Sequence, residues 1–206
     1  MEMMEVQRRE KDDLRKDIDF LIKQAEPRGD HVQINQERVA KLSCAIGEKL
    51  GFDLDTLRGL RMAAMLHDIG MVTIPVELLD KPEKLSSIEF DHLRKHPQTG
   101  FSMLEHVDFP WPIADIILQH HEHFDGTGYP FGLKDSEICD EAKIIAVAYS
   151  LEAITAIRPY RPAMPLSEAL FEIESKSGKY YEPDVVEALL GLVNNGHLYL
   201  KGCNWE

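Results

Sequence analysis

Residues 57–70 read LRGLRMAAMLHDIG, an apolar helical stretch that runs straight into a histidine and an aspartate. Apolar residues recurring at three and four positions predict a helix from about Asp55 to Leu66 that delivers His67-Asp68-Ile69-Gly70 at its end. Gly70 is expected to permit a turn that β-branched residues would resist. On the N-terminal side, Val39, Leu42, Ile46 and Leu50 continue a helical pattern from Val32 until Gly51 stops it. On the C-terminal side, Ser86 and Glu89 form a capping box for a helix carrying Phe90 and Leu93, and Pro97 starts the next, with Phe101 and Leu104. Pro110-Trp111-Pro112 breaks the chain before a helix bearing Ile113, Ile116 and Ile117. The glycine-rich stretch from Asp125 to Gly132 reads as loop. A long apolar helix from about Ile138 to Ile157 ends where Pro159, Pro162 and Pro165 interrupt it, and two shorter helices begin near Ser167 and at Pro183. No alternating strand pattern of useful length occurs, so the expected fold is all-α.

At 206 residues and 44% apolar content the chain can bury one substantial core. Residues 1–26 are expected to form a linker helix, with Leu14, Ile18, Leu21 and Ile22 as a narrow stripe suited to a homodimer or to packing back on its own domain; residues 27–206 form the domain. The balance of 23 Lys+Arg against 36 Asp+Glu, a formal charge of -13, argues against a nonspecific grip on DNA. An anionic ligand then needs a bound cation or a local arginine cluster. Cys44, Cys139 and Cys203 are odd in number and lack CxxC spacing, which favours reduced thiols over a disulfide framework. No membrane segment or signal peptide is read, and a cytoplasmic location is expected.

Seven of the nine histidines lie between His67 and His123, and four fall at predicted helix ends. Side chains at helix ends can converge from several helices on one point. His67, Asp68, His96, His120 and His121 offer four imidazoles and one carboxylate, a mixture suited to Fe, Mn, Zn or Ni, and Asp68 has two oxygens with which to bridge ions. Any one of them taken alone reads more readily as structural; their joint placement shifts the reading. His92, His106, His123 and His197 read as structural or solvated positions. HExxH, GxSxG and Walker patterns are absent, and Gly126-Thr127-Gly128 by itself says little about phosphate binding.

The strings HDIG at 67–70, LLDKPEKLSSIEFDHLRKHPQTG at 78–100, QHHEHFDGTGYPFGL at 119–133 and RPYRPA at 158–163 together resemble the HD-GYP subgroup of HD-domain phosphohydrolases, over residues 31 to 190. The resemblance implies an HD-type helical bundle with extra C-terminal helices. It further implies hydrolysis of cyclic di-GMP at two or three metal ions, often iron or manganese. In active members a metal-activated hydroxide attacks phosphorus while the ions neutralise charge on its oxygens. Carried over, His67, Asp68, His96, His120 and His121 become metal ligands, Gly128-Tyr129-Pro130 shapes the substrate pocket, and Arg158 and Arg161 contact the nucleotide.

Three positions depart from that pattern. Asn35 stands where a ligand histidine is expected, Tyr149 within AVAYSLEA replaces a ligand aspartate, and Met71 replaces the lysine after HDIG. The resemblance places the missing histidine and aspartate around one ion and Asp68, His96, His120 and His121 around the other, so one position is expected to be lost and one retained. His31, one turn before Asn35, is a possible substitute ligand, set against a solvent-facing role. Tyr149 reads either as an Fe(III) phenolate or as apolar filler, with filler favoured. The altered positions belong to the chemistry and the retained ones serve binding equally well. The sequence therefore favours a nucleotide-sensing or partner-docking module carrying one ion over a working cyclic di-GMP phosphodiesterase, with a phosphohydrolase for another nucleotide as a third reading.

Overall fold

The structure, a computed structural model, describes residues 36–157 and 162–194. Nine α-helices lie within them: α1 Gln36–Lys49, α2 Leu54–Leu66, α3 Val76–Leu79, α4 Ser87–Leu93, α5 His96–Leu104, α6 Ile113–Gln119, α7 Asp140–Thr155, α8 Leu166–Ser175 and α9 Pro183–Asn194. Two 3₁₀ turns, Ile69–Thr73 and Asp135–Glu137, complete the order. Among the described residues there is no strand, only an isolated bridge between Ser177 and Tyr181, so the fold is all-α as expected. The linker helix, the domain boundary at residue 27, His31, Asn35, Arg158, Arg161, His197 and Cys203 lie outside the described residues.

The punctuation read from the sequence operates locally. Gly51 closes α1 at φ 86, a left-handed conformation that costs glycine little. The Asp53 carboxylate accepts the Thr56 amide at 2.8 Å and starts α2. Ser86 and Glu89 complete both halves of the capping box on α4. No residue of α4 is buried, so Phe90 and Leu93 stay outside the core despite their helical spacing.

α7 is the central element. Ile144, Ile145, Val147, Ala148 and Leu151 are fully buried on successive faces, because α1, α6, α8 and α9 all pack against it. A helix apolar all round is stable only when surrounded, and each such large side chain contributes about 1.5–3 kcal/mol relative to exposure. α1 is further tied to α7 by an ion pair, Arg38 Nε to Glu152 Oε2 at 3.2 Å, with Glu152 almost wholly buried. Packing of α2 on α6, and of α5 on α6 and the first 3₁₀ turn, gathers the C-terminus of α2, the N-terminus of α5 and the C-terminus of α6 in one place. That convergence builds the site.

The reason for Gly70 differs from the expectation. Its φ is not positive; what demands glycine is close approach, since a Cβ there would run into the His96 carbonyl oxygen and stand 2.7 Å from the Gly100 amide nitrogen. The missing side chain lets the start of α5 sit against the turn after Asp68.

Candidate metal centre

His67 and His120 are the C-terminal caps of α2 and α6, His96 is the first residue of α5, and Asp68 and His121 each follow a cap. In each of three imidazoles, Nδ1 meets the carbonyl oxygen three residues back: His67 to Ala64 at 2.8 Å, His96 to Leu93 at 2.9 Å and His120 to Ile117 at 2.5 Å. A carbonyl oxygen only accepts, so Nδ1 carries the hydrogen and Nε2 is left as a lone pair. The last turn of each preceding helix therefore sets both the tautomer and the aim of its histidine.

Two of those lone pairs, on His96 and His120, meet. His96 Nε2 and His120 Nε2 are 3.4 Å apart, and Asp68 Oδ1 is 3.4 Å from the first and 4.0 Å from the second. Asp68 Oδ1 is buried and receives no hydrogen bond. Three buried acceptors facing each other repel unless a cation lies among them. Asp68, His96, His120 and His121 together offer one ligand atom apiece, all within 4.8 Å of one another. Three imidazoles and a carboxylate fit a first-row divalent ion, so the residues present are compatible with a metal.

The other carboxylate oxygen faces elsewhere. Asp68 Oδ2 lies 3.2 Å from His67 Nε2, which is buried and finds no hydrogen bond of acceptable geometry. Tyr149 of α7 packs edge-on against the cluster, its ring 5.5 Å from His67, 5.2 Å from His121 and 6.3 Å from His120. Met71 is half-buried and its amide donates to the Asp68 carbonyl at 2.8 Å.

Burial and mutual charge divide the titrations. Burial, reinforced by His67 and His96, pushes the His120 pKa down to about 3. Burial likewise lowers His96, and it lowers His121 well below the ordinary imidazole value with help from His120 and His96. At neutral pH these three are unprotonated, the form a metal requires. For His67, burial also opposes protonation, but the Asp68 carboxylate outweighs it and raises the pKa. Burial would raise Asp68, yet the surrounding histidines, His67 foremost, hold it well below the usual carboxylate range.

His121 is half-buried and stacked on the Tyr129 ring at 4.7 Å and 21°. The Tyr129 amide donates to the His121 carbonyl at 3.1 Å, and the following peptide, Tyr129–Pro130, is cis. A residue singled out by no motif holds this loop: the buried carboxylate of Glu122 accepts the Phe131 amide at 2.7 Å and the Leu133 amide at 3.1 Å. Its only signal in the sequence was its place directly after the histidine pair. Gly128 is required because a Cβ would collide with the Glu122 and His123 backbone. Of the histidines read as structural, His92 and His106 are exposed, and His123 stacks on Tyr180 at 4.3 Å. Cys44 and Cys139 are free thiols. No helix of the described residues is long and apolar enough to cross a membrane.

Comparison with known proteins agrees with this geometry. The HD domain family matches residues 19–185. A cyclic di-GMP phosphodiesterase of Thermotoga maritima is 46% identical over 158 residues, 76% of this chain and 43% of its own length. A cyclic di-GMP phosphodiesterase response regulator of Xanthomonas campestris is 36% identical over 91% of this chain and 49% of its own length. The chain thus spans under half the length of these two relatives. Among solved structures, an HDG"Y"P protein from Bdellovibrio bacteriovorus superposes with TM-score 0.66 at 24% identity, covering 79% of this chain and 53% of that one, a likeness of fold. With helix ends that bring an HD pair, two further histidine-bearing termini and a GYP loop to one point, the chain belongs to the HD-domain family and is an HD-GYP domain.

Proposed function

We propose that this domain retains one metal position, formed by Asp68, His96, His120 and His121, and acts mainly as a nucleotide-sensing or protein-docking module with weak or no hydrolysis of cyclic di-GMP. One observation carries the reading. Asp68 turns one oxygen toward His96 and His120 and the other toward His67, and the Tyr149 ring, at the position where the family resemblance expects a ligand carboxylate, stands edge-on 5.5 Å from His67. A neutral phenol does not replace a ligand carboxylate, and Asn35 at the expected histidine position offers only an amide. The names of two relatives support cyclic di-GMP, or a related nucleotide, as the ligand.

The ion, iron or manganese by family resemblance with zinc or nickel also compatible with the donors, would supply Lewis acidity toward a phosphodiester oxygen. The protein's own part is positional. The carbonyls of Leu93 and Ile117 hold His96 and His120 in the ligating tautomer, burial keeps them unprotonated, and the Glu122-braced loop sets Tyr129 over His121. Tyr129 then lines the pocket for the nucleotide, with Arg158 and Arg161 as its further contacts. His67 stays beside Asp68 and orients the carboxylate.

A second reading, an active phosphodiesterase with altered ligation, is favoured by the intact His67–Asp68 pair. The test is metal content together with cyclic di-GMP hydrolysis under reducing conditions with added iron or manganese. One ion per chain with slow or absent turnover supports the proposal. Two ions and turnover comparable to intact relatives sink it.

A further inference from the structure

Arg94 stands one aromatic ring away from the metal cluster and is none of the ligand or substrate positions described above. It caps α4 two residues before His96, is exposed, and carries its guanidinium carbon 4.8 Å from the Phe90 ring centroid and 5.1 Å from that of Tyr129. The other neighbour of the Tyr129 ring is His121, so a single aromatic ring separates the guanidinium from the cluster. No described carboxylate forms an ion pair with Arg94, in a chain with 36 acidic residues against 23 basic ones. Two aromatic faces restrain the side chain while its N–H edges stay free to donate. A cation with no ion pair among the described residues, held between two rings beside the cluster, is placed for an anion.

A cyclic dinucleotide carries two phosphodiesters on opposite sides of its ring. With one at the metal cluster, the other is held away from it, within reach of a cation that stands one aromatic ring from the cluster, as Arg94 does. We infer that Arg94 binds the second, non-scissile phosphate of a cyclic dinucleotide and so selects cyclic dinucleotides over mononucleotides. The inference rests on the metal-centre reading above.

The experiment is calorimetric titration of Mn(II)-loaded protein with cyclic di-GMP and with GMP, which has one phosphate, using wild type, Arg94→Gln and Arg94→Lys, with the ion content of each measured separately. Arg94→Gln keeps a planar group against the rings and removes the charge. It is expected to weaken cyclic di-GMP about tenfold or more while GMP binding and ion content stay within twofold; Arg94→Lys recovers most of the loss. Cyclic di-GMP affinity unchanged in Arg94→Gln overturns the inference. So does an equal loss for GMP, which would place Arg94 on the base or first phosphate, and so does a variant that loses its ion. A wild type that holds its ion but binds no cyclic di-GMP overturns the inference and leaves the metal centre standing. A wild type that takes up no ion overturns both.

Discussion

Gly70 and the His96 carbonyl occupy adjoining space with no room for a methyl group: a Cβ on residue 70 would overlap that oxygen and crowd the Gly100 amide nitrogen at 2.7 Å. The relationship links two motifs 26 residues apart, since the displacement that relieves the clash moves His96 away from Asp68, which it now faces at 3.4 Å. Gly70→Ala is therefore expected to weaken Mn(II) affinity by about 10–100-fold, the range typical of disturbed ligand support. Equilibrium dialysis reads this directly. Affinity within twofold of wild type would show that α5 is free to shift without cost to the site.

Metal binding should be visible as stability. The cluster exists only in the folded chain, so an ion at 100 times its dissociation constant adds about 2.7 kcal/mol, or roughly 5–10 °C in Tm for a domain of this size. A chelator should reverse the shift, and His96→Ala should abolish it, because His96 lies within the facing-acceptor group with Asp68 and His120.

The metal-free protein has a defined pH response. His120 titrates near 3 in the fold and near 6.5 when unfolded, so the unfolded state takes up protons first as pH falls. That group's stability is fully present above about pH 6.5 and is lost progressively toward pH 3, with lowered His96 and His121 acting in the same direction. His67, raised by Asp68, opposes them in part by favouring the folded state at lower pH. Urea midpoints measured from pH 7.5 to 4.5 should fall, and His120→Asn should flatten the fall. A midpoint independent of pH would mean that the pocket admits water freely.

Much of this was legible beforehand, and the remainder has a common cause. The helices around Ile116 and Ile145, the capping box of Ser86 and Glu89, and the placement of His67, His96 and His120 at helix ends all follow from spacing and local chemistry. What spacing could not give was contact between distant segments. The collision that makes Gly70 necessary, the return of Phe131 and Leu133 onto Glu122, and the position of Arg94 over Tyr129 each require the assembled fold. Phe90 shows the converse, an apolar residue at helical spacing on a helix with no buried residue.

Glu122 is expected to behave as a loop brace. Glu122→Ala leaves the Phe131 and Leu133 amides without their acceptor, at a cost of about 1–3 kcal/mol for each amide that water does not reach. Glu122→Gln retains one accepting oxygen and should recover part of that loss. Because the brace acts on Tyr129 and the metal cluster lies deeper, nucleotide affinity should drop while ion content holds. Loss of both in Glu122→Gln would show instead that the loop and the cluster form one cooperative unit.

The most informative substitution is at Tyr149. Its ring stands 5.5 Å from His67, whose Nε2 lies 3.2 Å from Asp68 Oδ2. If the phenol fills a lost metal position, Tyr149→Asp removes the ring and puts a carboxylate in its place, and Asn35→His adds an imidazole at the other altered position. The double variant should then bind two Mn(II) per chain where wild type binds one, and cyclic di-GMP hydrolysis should rise by at least about tenfold, since a second ion stabilises the opposite oxygen of an in-line displacement. Tyr149→Phe separates the two roles of the tyrosine: a filler tolerates loss of the hydroxyl with ion content unchanged, whereas a ligand does not. Two ions in wild type, or a double variant that still binds one, would show that the ring does not determine the stoichiometry and that the limit on hydrolysis lies elsewhere.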